Sequence, residues 1–208
     1  MDRLPGNWHN AGALDPRGFT CGHCNHYMSA DDGYQLQDPT GSPLPFLIYV
    51  CAHCNRPNYF EDQGDRTVQT PGAAFGSTVE DVPTTVDSLY QEARNCMKVS
   101  AYTSAVLACR KLLMNIAVAE GAKEGEQFIQ YVEYLADKGY VPPGGKKWVD
   151  HIRKQGNEAT HEIDMKTEAE AKDLISFVEM LLKFIYEFPG RVPSPAPQGA
   201  EDSPANGT

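Results

Sequence analysis

The sequence predicts an α+β fold, mainly α, in which a small module of short β-strands precedes an antiparallel bundle of about five helices. Three observations predict it. Residues 1–60 are rich in turn formers and aromatics and hold two C-x-x-C pairs. Residues 61–82 are rich in Gly, Thr and Asp and read as a linker. Residues 83–188 repeat apolar side chains at three- and four-residue steps, the period of an amphipathic helix. The remaining 189–208 form a Pro/Ser/Gly/Ala tail, whose composition offers too little apolar surface to offset the entropy of ordering it. No internal repeat stands out.

Each helix has its own signals. Thr84 or Thr85 is the expected N-cap of the first, which runs over about 85–98. Ser100 opens the second, which closes at Gly121 and stacks Val106, Cys109, Leu113 and Ile116 along one stripe. The third aligns Phe128, Val132 and Leu135 and stops at Gly139. The fourth starts at the prolines 142–143, with Trp148 and Ile152 on one face. Thr167 and Glu170 form a capping box for the fifth, whose stripe includes Leu174, Val178, Leu181 and Ile185.

The formal net charge is −10 over 208 residues, which excludes a broadly basic nucleic-acid coat. A local anion site is left open by Lys146, Lys147, Arg153 and Lys154. The opening MDRLPGNWHNAG has no apolar h-region, so no secretory signal is expected. The apolar runs PFLIYVC and ISFVEMLLKFIY fall short of the roughly 18 residues a membrane span needs, so no membrane partner and a cytoplasmic location are expected. Gly144-Gly145 before Lys146-Lys147 lacks the remaining phosphate-loop spacing.

TCGHCNHY and VCAHCNRPNYF place Cys21 with Cys24 and Cys51 with Cys54, 26 residues apart. Two thiolates from each tight turn can complete a tetrahedral zinc site, and four protein thiolates leave no open position for substrate, so one structural zinc per chain is expected. A ribbon this small builds little core, which makes metal binding its folding energy. The alternative is a metal-free reduced or disulfide-bonded pair. His23, His26 and His53 lie in or beside the knuckles as substitute ligands or solvent-facing neighbours, and Cys96 and Cys109 read as small buried hydrophobes on helices.

The stretch IRKQGNEATHE sets Arg153, Asn157 and His161 four residues apart, within an arc of about 80° if the helix survives Gly156. Arginine suits phosphate oxygens, histidine moves protons near neutral pH, and asparagine can orient either the histidine or a ligand. The trio suits metal-independent RNA cleavage, with His161 as general base or acid and Arg153 stabilising the transition-state charge. The bland alternative is a helix end whose side chains cap carbonyls or pair with Glu158 and Glu162.

The helical half resembles the HEPN superfamily of nucleic-acid-associated bundles, and in particular the bacterial domain-of-unknown-function family 4145. The segments that carry the likeness are YTSAVLACRKLLMNIA, LADKGYVPP, WVDHIRKQGNEATHE and the following EAEAKDLISFVEMLLKFIYEFP, over roughly 83–189. An N-terminal zinc ribbon also fits that family. The resemblance implies a homodimer in which two Arg/His motifs meet across the interface, and for many members a metal-independent endoribonuclease of a prokaryotic defence or toxin-type system. The usual motif puts four to six residues between Arg and His, often with Asn directly after the Arg. Here Gly156 precedes Asn157, and Arg153 leaves seven residues before His161.

Two functions follow as expectations. One is an RNA-directed enzyme using His161, Arg153 and Asn157. The other is a non-catalytic scaffold whose ribbon recruits a protein or nucleic-acid partner. A third, weaker expectation is a phosphate-binding regulator built on the lysines around Trp148.

Overall fold

The computed structural model describes residues 2–142, 145–156 and 165–191, and only the backbone for residues 146 and 153–156. Five strands form one antiparallel sheet in chain order: β1 (Gly12–Thr20), β2 (Tyr27–Gln37), β3 (Pro43–Val50), β4 (Pro57–Asp62) and β5 (Thr67–Thr70). Thr20 lies opposite Tyr27 and Val50 opposite Pro57, so β1–β2 and β3–β4 are hairpins whose turns are the two cysteine knuckles. The sheet curls over a small aromatic core. Phe19, Tyr49 and Phe60 pack with ring centroids 5.0–6.1 Å apart. Arg17 on β1 stacks over Phe60 at 5.0 Å and closes the curl by a bidentate pair with Asp62 on β4, at 2.7 and 3.1 Å. Gly33 admits the crossing of β2 and β3, because a Cβ there would lie 2.0 Å from the Ile48 carbonyl oxygen.

Five helices follow: α1 (Thr84–Lys98), α2 (Tyr102–Ala119), α3 (Phe128–Asp137), α4 (Lys146–Gly156) and α5 (Glu168–Leu182). The last continues through a π-helical turn, Lys183–Glu187, to a final turn at Phe188–Gly190. The periodic residues do face inward: Cys109, Leu113, Ile116, Val132, Leu135, Ile152, Val178 and Leu181 share one buried core. The Thr167 capping box is present, the Glu170 N–H donating to Thr167 Oγ1 at 3.3 Å and the Thr167 N–H to Glu170 Oε2 at 2.8 Å. Gly121 and Gly139 stand just past α2 and α3 at φ +99° and +85°. At the first helix the cap differs from expectation: Pro83 occupies the N-cap and neither threonine caps with its side chain.

The segment 61–82, expected to be a linker, carries β5 and then a strap laid on the helices. Its composition resembles a tether because it engages through its own backbone N–H and C=O groups, whose partners lie far along the chain on the helices. Buried Arg94 on α1 donates to the carbonyls of Phe75 and Gly76 at 3.0 and 2.7 Å. Glu179 on α5 accepts the Ser77 N–H at 2.9 Å, and buried Glu187 accepts the Glu80 N–H at 3.1 Å. Below β5, the Gly72 N–H reaches the Lys98 carbonyl at the end of α1, at 2.9 Å. The sheet is therefore fastened to the helical core through the strap.

Candidate metal centre

Cys21 directly follows β1 and Cys51 directly follows β3, so the hairpin ends deliver both knuckles to one place. Each knuckle closes in the same way. The Asn25 N–H donates to the Cys21 carbonyl at 2.9 Å, and the Asn55 N–H to the Cys51 carbonyl at 2.7 Å. The Cys21 and Cys51 N–H groups in turn meet the carbonyls of His26 and Arg56, both at 2.9 Å. Asn25 and Asn55 take φ of +60° and +58°, a left-handed conformation that asparagine tolerates better than most residues. C-x-H-C-N is thus one device used twice, a local repeat of five residues that a search for longer periods misses.

The four sulfurs lie within 4.8 Å of one another, with Cys21 to Cys54 and Cys24 to Cys51 each at 3.7 Å. An ion bound tetrahedrally at about 2.3 Å from each thiolate sets sulfurs about 3.8 Å apart, so the spacing fits one. A disulfide at about 2.05 Å does not describe these cysteines, which are free thiols. Cys21, Cys51 and Cys54 are fully buried. Burial pushes the Cys24 thiol up to about 12 and raises Cys51 as well. At Cys21 burial works in the same direction, but the N–H groups of Cys24 and His23 and the Asn58 amide outweigh it and bring the thiol down to about 7. An ion that takes all four sulfurs must displace protons, and its affinity falls with pH.

Asn58 organises the first knuckle, and the spacing of the cysteines gave no hint of it. Fully buried, it donates from Nδ2 to Cys21 Sγ at 3.5 Å and accepts the Gly22 N–H on Oδ1 at 2.9 Å. Gln69 on β5 donates to the same Oδ1 at 3.3 Å and to the Thr20 carbonyl at 2.8 Å. The chain before β1 holds the second knuckle: the Leu4 N–H donates to the Cys54 carbonyl at 3.0 Å, and Trp8 Nε1 to the Asn55 carbonyl at 3.1 Å.

The histidines sit around the sulfurs. His23 donates from Nε2 to the Pro57 carbonyl at 2.9 Å. Exposed His26 and His53 lie close to Cys24 and stack at 3.6 Å with 19° between their planes. Near-parallel rings cannot both aim an in-plane lone pair at one ion, so the all-cysteine set is the better donor cage. Cys109 is buried in the helical core, where burial lifts its thiol to about 12, and Cys96 packs partly buried beside the same core.

Asn157 and His161 lie outside the described residues, and of Arg153 only its place on α4 is described. The structure therefore does not bring this trio together or set it apart. His151 on α4 stands 2.9 Å from Asp173 on α5 through Nε2, at an exposed position. Trp148 packs edge-on against Phe177 at 5.4 Å, as part of the helical core. No described helix is long and apolar enough to cross a membrane.

In comparison with known protein families, residues 91–198 fit Domain of unknown function (DUF4145), from the middle of α1 past the end of α5. No curated protein and no solved structure matches. The matched stretch covers just over half of the chain, and the protein belongs to the DUF4145 family.

Proposed function

We propose that the four cysteines hold one structural zinc ion per chain, that the sheet is a zinc ribbon, and that the helical unit is a HEPN-type module with an RNA-related role. The 3.7 Å sulfur spacing around a fully cysteine cage carries the metal part of this reading. Zinc accepts four thiolates without redox chemistry and leaves no position for substrate, so its role here is to hold the two hairpins together. Metal analysis of protein purified without chelator tests it: about one zinc per chain is expected, and a cysteine quartet without bound metal overturns it.

The RNA part rests on Arg153 on α4, with Asn157 and His161 after it in the family-matched segment. In this reading the helical units pair as a homodimer, and His161 takes the proton of a ribose 2′-hydroxyl. The 2′-oxygen then displaces the 5′-oxygen from phosphorus, which takes a proton from solvent and leaves as a 5′-hydroxyl, giving a 2′,3′-cyclic phosphate, while Arg153 neutralises the phosphorane charge and Asn157 orients the histidine. Incubating the zinc-loaded protein briefly with mixed RNA in EDTA, with a zinc-supplemented control, tests this reading. Cyclic-phosphate ends that His161→Ala abolishes support it; intact RNA in both conditions overturns it.

A net charge of −10 favours a second reading, a scaffold in which the ribbon recruits a protein partner.

A further inference from the structure

We propose that the groove between the N-terminal arm and β2 binds an extended peptide carrying a basic side chain, which adds as a strand to the free edge of β2. This proposal does not depend on the ribonuclease reading. β2 pairs with β1 from Tyr27 to Gly33, but its pairing with β3 begins only at Gly33, opposite Tyr49. Beyond Val50, β3 turns into the second knuckle and leaves β2, so residues 28–32 have no strand partner on that side among the described residues. In an antiparallel strand, alternate residues send N–H and C=O groups to each side. An edge presented in this way is a template for a further strand, and strand addition is a recurrent mode of peptide capture.

The edge opens into a groove of about 370 Å³ whose opposite wall includes Arg3, Trp8 and Ala52. That wall is held in place. Asn55 Nδ2 donates to the carbonyls of Leu4 and Gly6 at 3.1 and 3.0 Å, while the Trp8 indole N–H is engaged with the Asn55 carbonyl. The volume is at the lower end of ordinary ligand pockets, the size of a short peptide segment rather than a domain.

Charge selects the occupant. The Arg3 guanidinium is occupied by the carbonyls of Ala52 and His53. The groove's carboxylates, Asp31 and Asp32, are exposed, and no cation among the described residues pairs with either. Trp8 is 41% exposed, and its ring offers a cation a second favourable surface. A lysine or arginine in an extended chain satisfies the strand edge, one of the two carboxylates, which alternate across the strand, and the ring together. A phosphate backbone would meet two carboxylates, so nucleic acid is disfavoured here.

The test uses the full zinc-loaded chain and fluorescein-labelled pentapeptides, randomised except for a central lysine. Parallel pools carry a central glutamate, or the lysine with alternate backbone nitrogens methylated. The lysine pool should bind at about 10–100 μM and the glutamate pool about tenfold more weakly. N-methylation should abolish binding, because it removes the backbone donors while leaving the charge. Amide resonances of 28–32 and the Trp8 indole should move on titration, and an Asp31→Asn/Asp32→Asn variant should lose about fivefold in affinity. No binding of the lysine pool at millimolar concentration overturns the proposal. So do equal binding of the methylated pool, shifts confined to other surfaces, and single-stranded RNA that moves these amides when the peptides do not.

Discussion

In the helical unit, α2 and α5 bury long series of apolar side chains against each other, among them Leu112, Leu113, Ile116, Phe177, Val178 and Leu181. Among the described residues the sheet unit buries only Phe19, Ala30, Tyr49 and Phe60 besides its cysteines, with Leu14, Met28 and Leu47 partly buried against them. At about 25 cal/mol for each Å² of apolar surface removed from water, a core of four such residues cannot order five strands and two turns. The helical unit can stand on packing, whereas the sheet needs a cross-link at its hairpin ends. A thiolate-bound ion at the four cysteines would supply it where burial is scarcest.

Removing the ion should test this contrast most severely. Structural zinc contributes about 10–16 kcal/mol in small cysteine-rich modules. Chelation, or Cys54→Ser, should therefore melt the strands while the helical circular-dichroism signal persists; loss of both together would mean that the helical unit depends on the metal too. Lowering the pH should release the ion in the same way, because protons compete with it for the four thiolates.

Arg94→Ala comes next. It strips two strap carbonyls of their buried donor, at a cost of about 2–4 kcal/mol. Denaturant unfolding should show the helical transition moving to lower midpoint, and faster amide exchange should appear along 75–80. Thr167→Ala removes the cap of α5 and should cost about 1 kcal/mol, read as a lower melting temperature of the helical transition.

Asp62→Asn is the smallest. Hydrogen bonding from Arg17, then from Thr67, holds the Asp62 carboxyl below the usual carboxylate range. A carboxyl depressed in the folded state stabilises it above the unfolded pKa, and that gain fades as pH falls through the folded value. The pair is partly exposed, at 25% and 35%, so screening limits the loss to about 1 kcal/mol or less. The difference between variant and parent should be constant near neutral pH, begin to shrink as pH falls below the ordinary carboxylate value of 3.8, and vanish only below the depressed folded value.

The helices were legible because their signals are local: a stripe such as Cys109, Leu113 and Ile116 occupies one element, and the Thr167–Glu170 box spans a single turn. The cysteine quartet was legible because metal geometry dictates short spacings within each knuckle. What stayed hidden depends on distant partners. Asn58 matters only because it meets Gly22 and Gln69, and Phe75 and Gly76 look like tether residues until Arg94 takes their carbonyls. Pairing of β5 with β4 was hidden for a similar reason, since four residues read as polar filler until their neighbour strand is known. The reading of Arg153, Asn157 and His161 concerns residues of which only the first has a described backbone.

The strap also bears on how this protein can be divided or inherited. A fragment beginning at Thr84 would leave Arg94 buried without the carbonyls of Phe75 and Gly76. One ending at Asp62 would strip Gln69 from Thr20 and Asn58, beside the first knuckle. Neither boundary gives a clean product, and a gene fusion or deletion that respects the family match alone would cut through the middle of α1. Expression of either half should begin or end on the far side of residues 67–82, and the recombination events that would pass the sheet to another host domain must carry that segment with it.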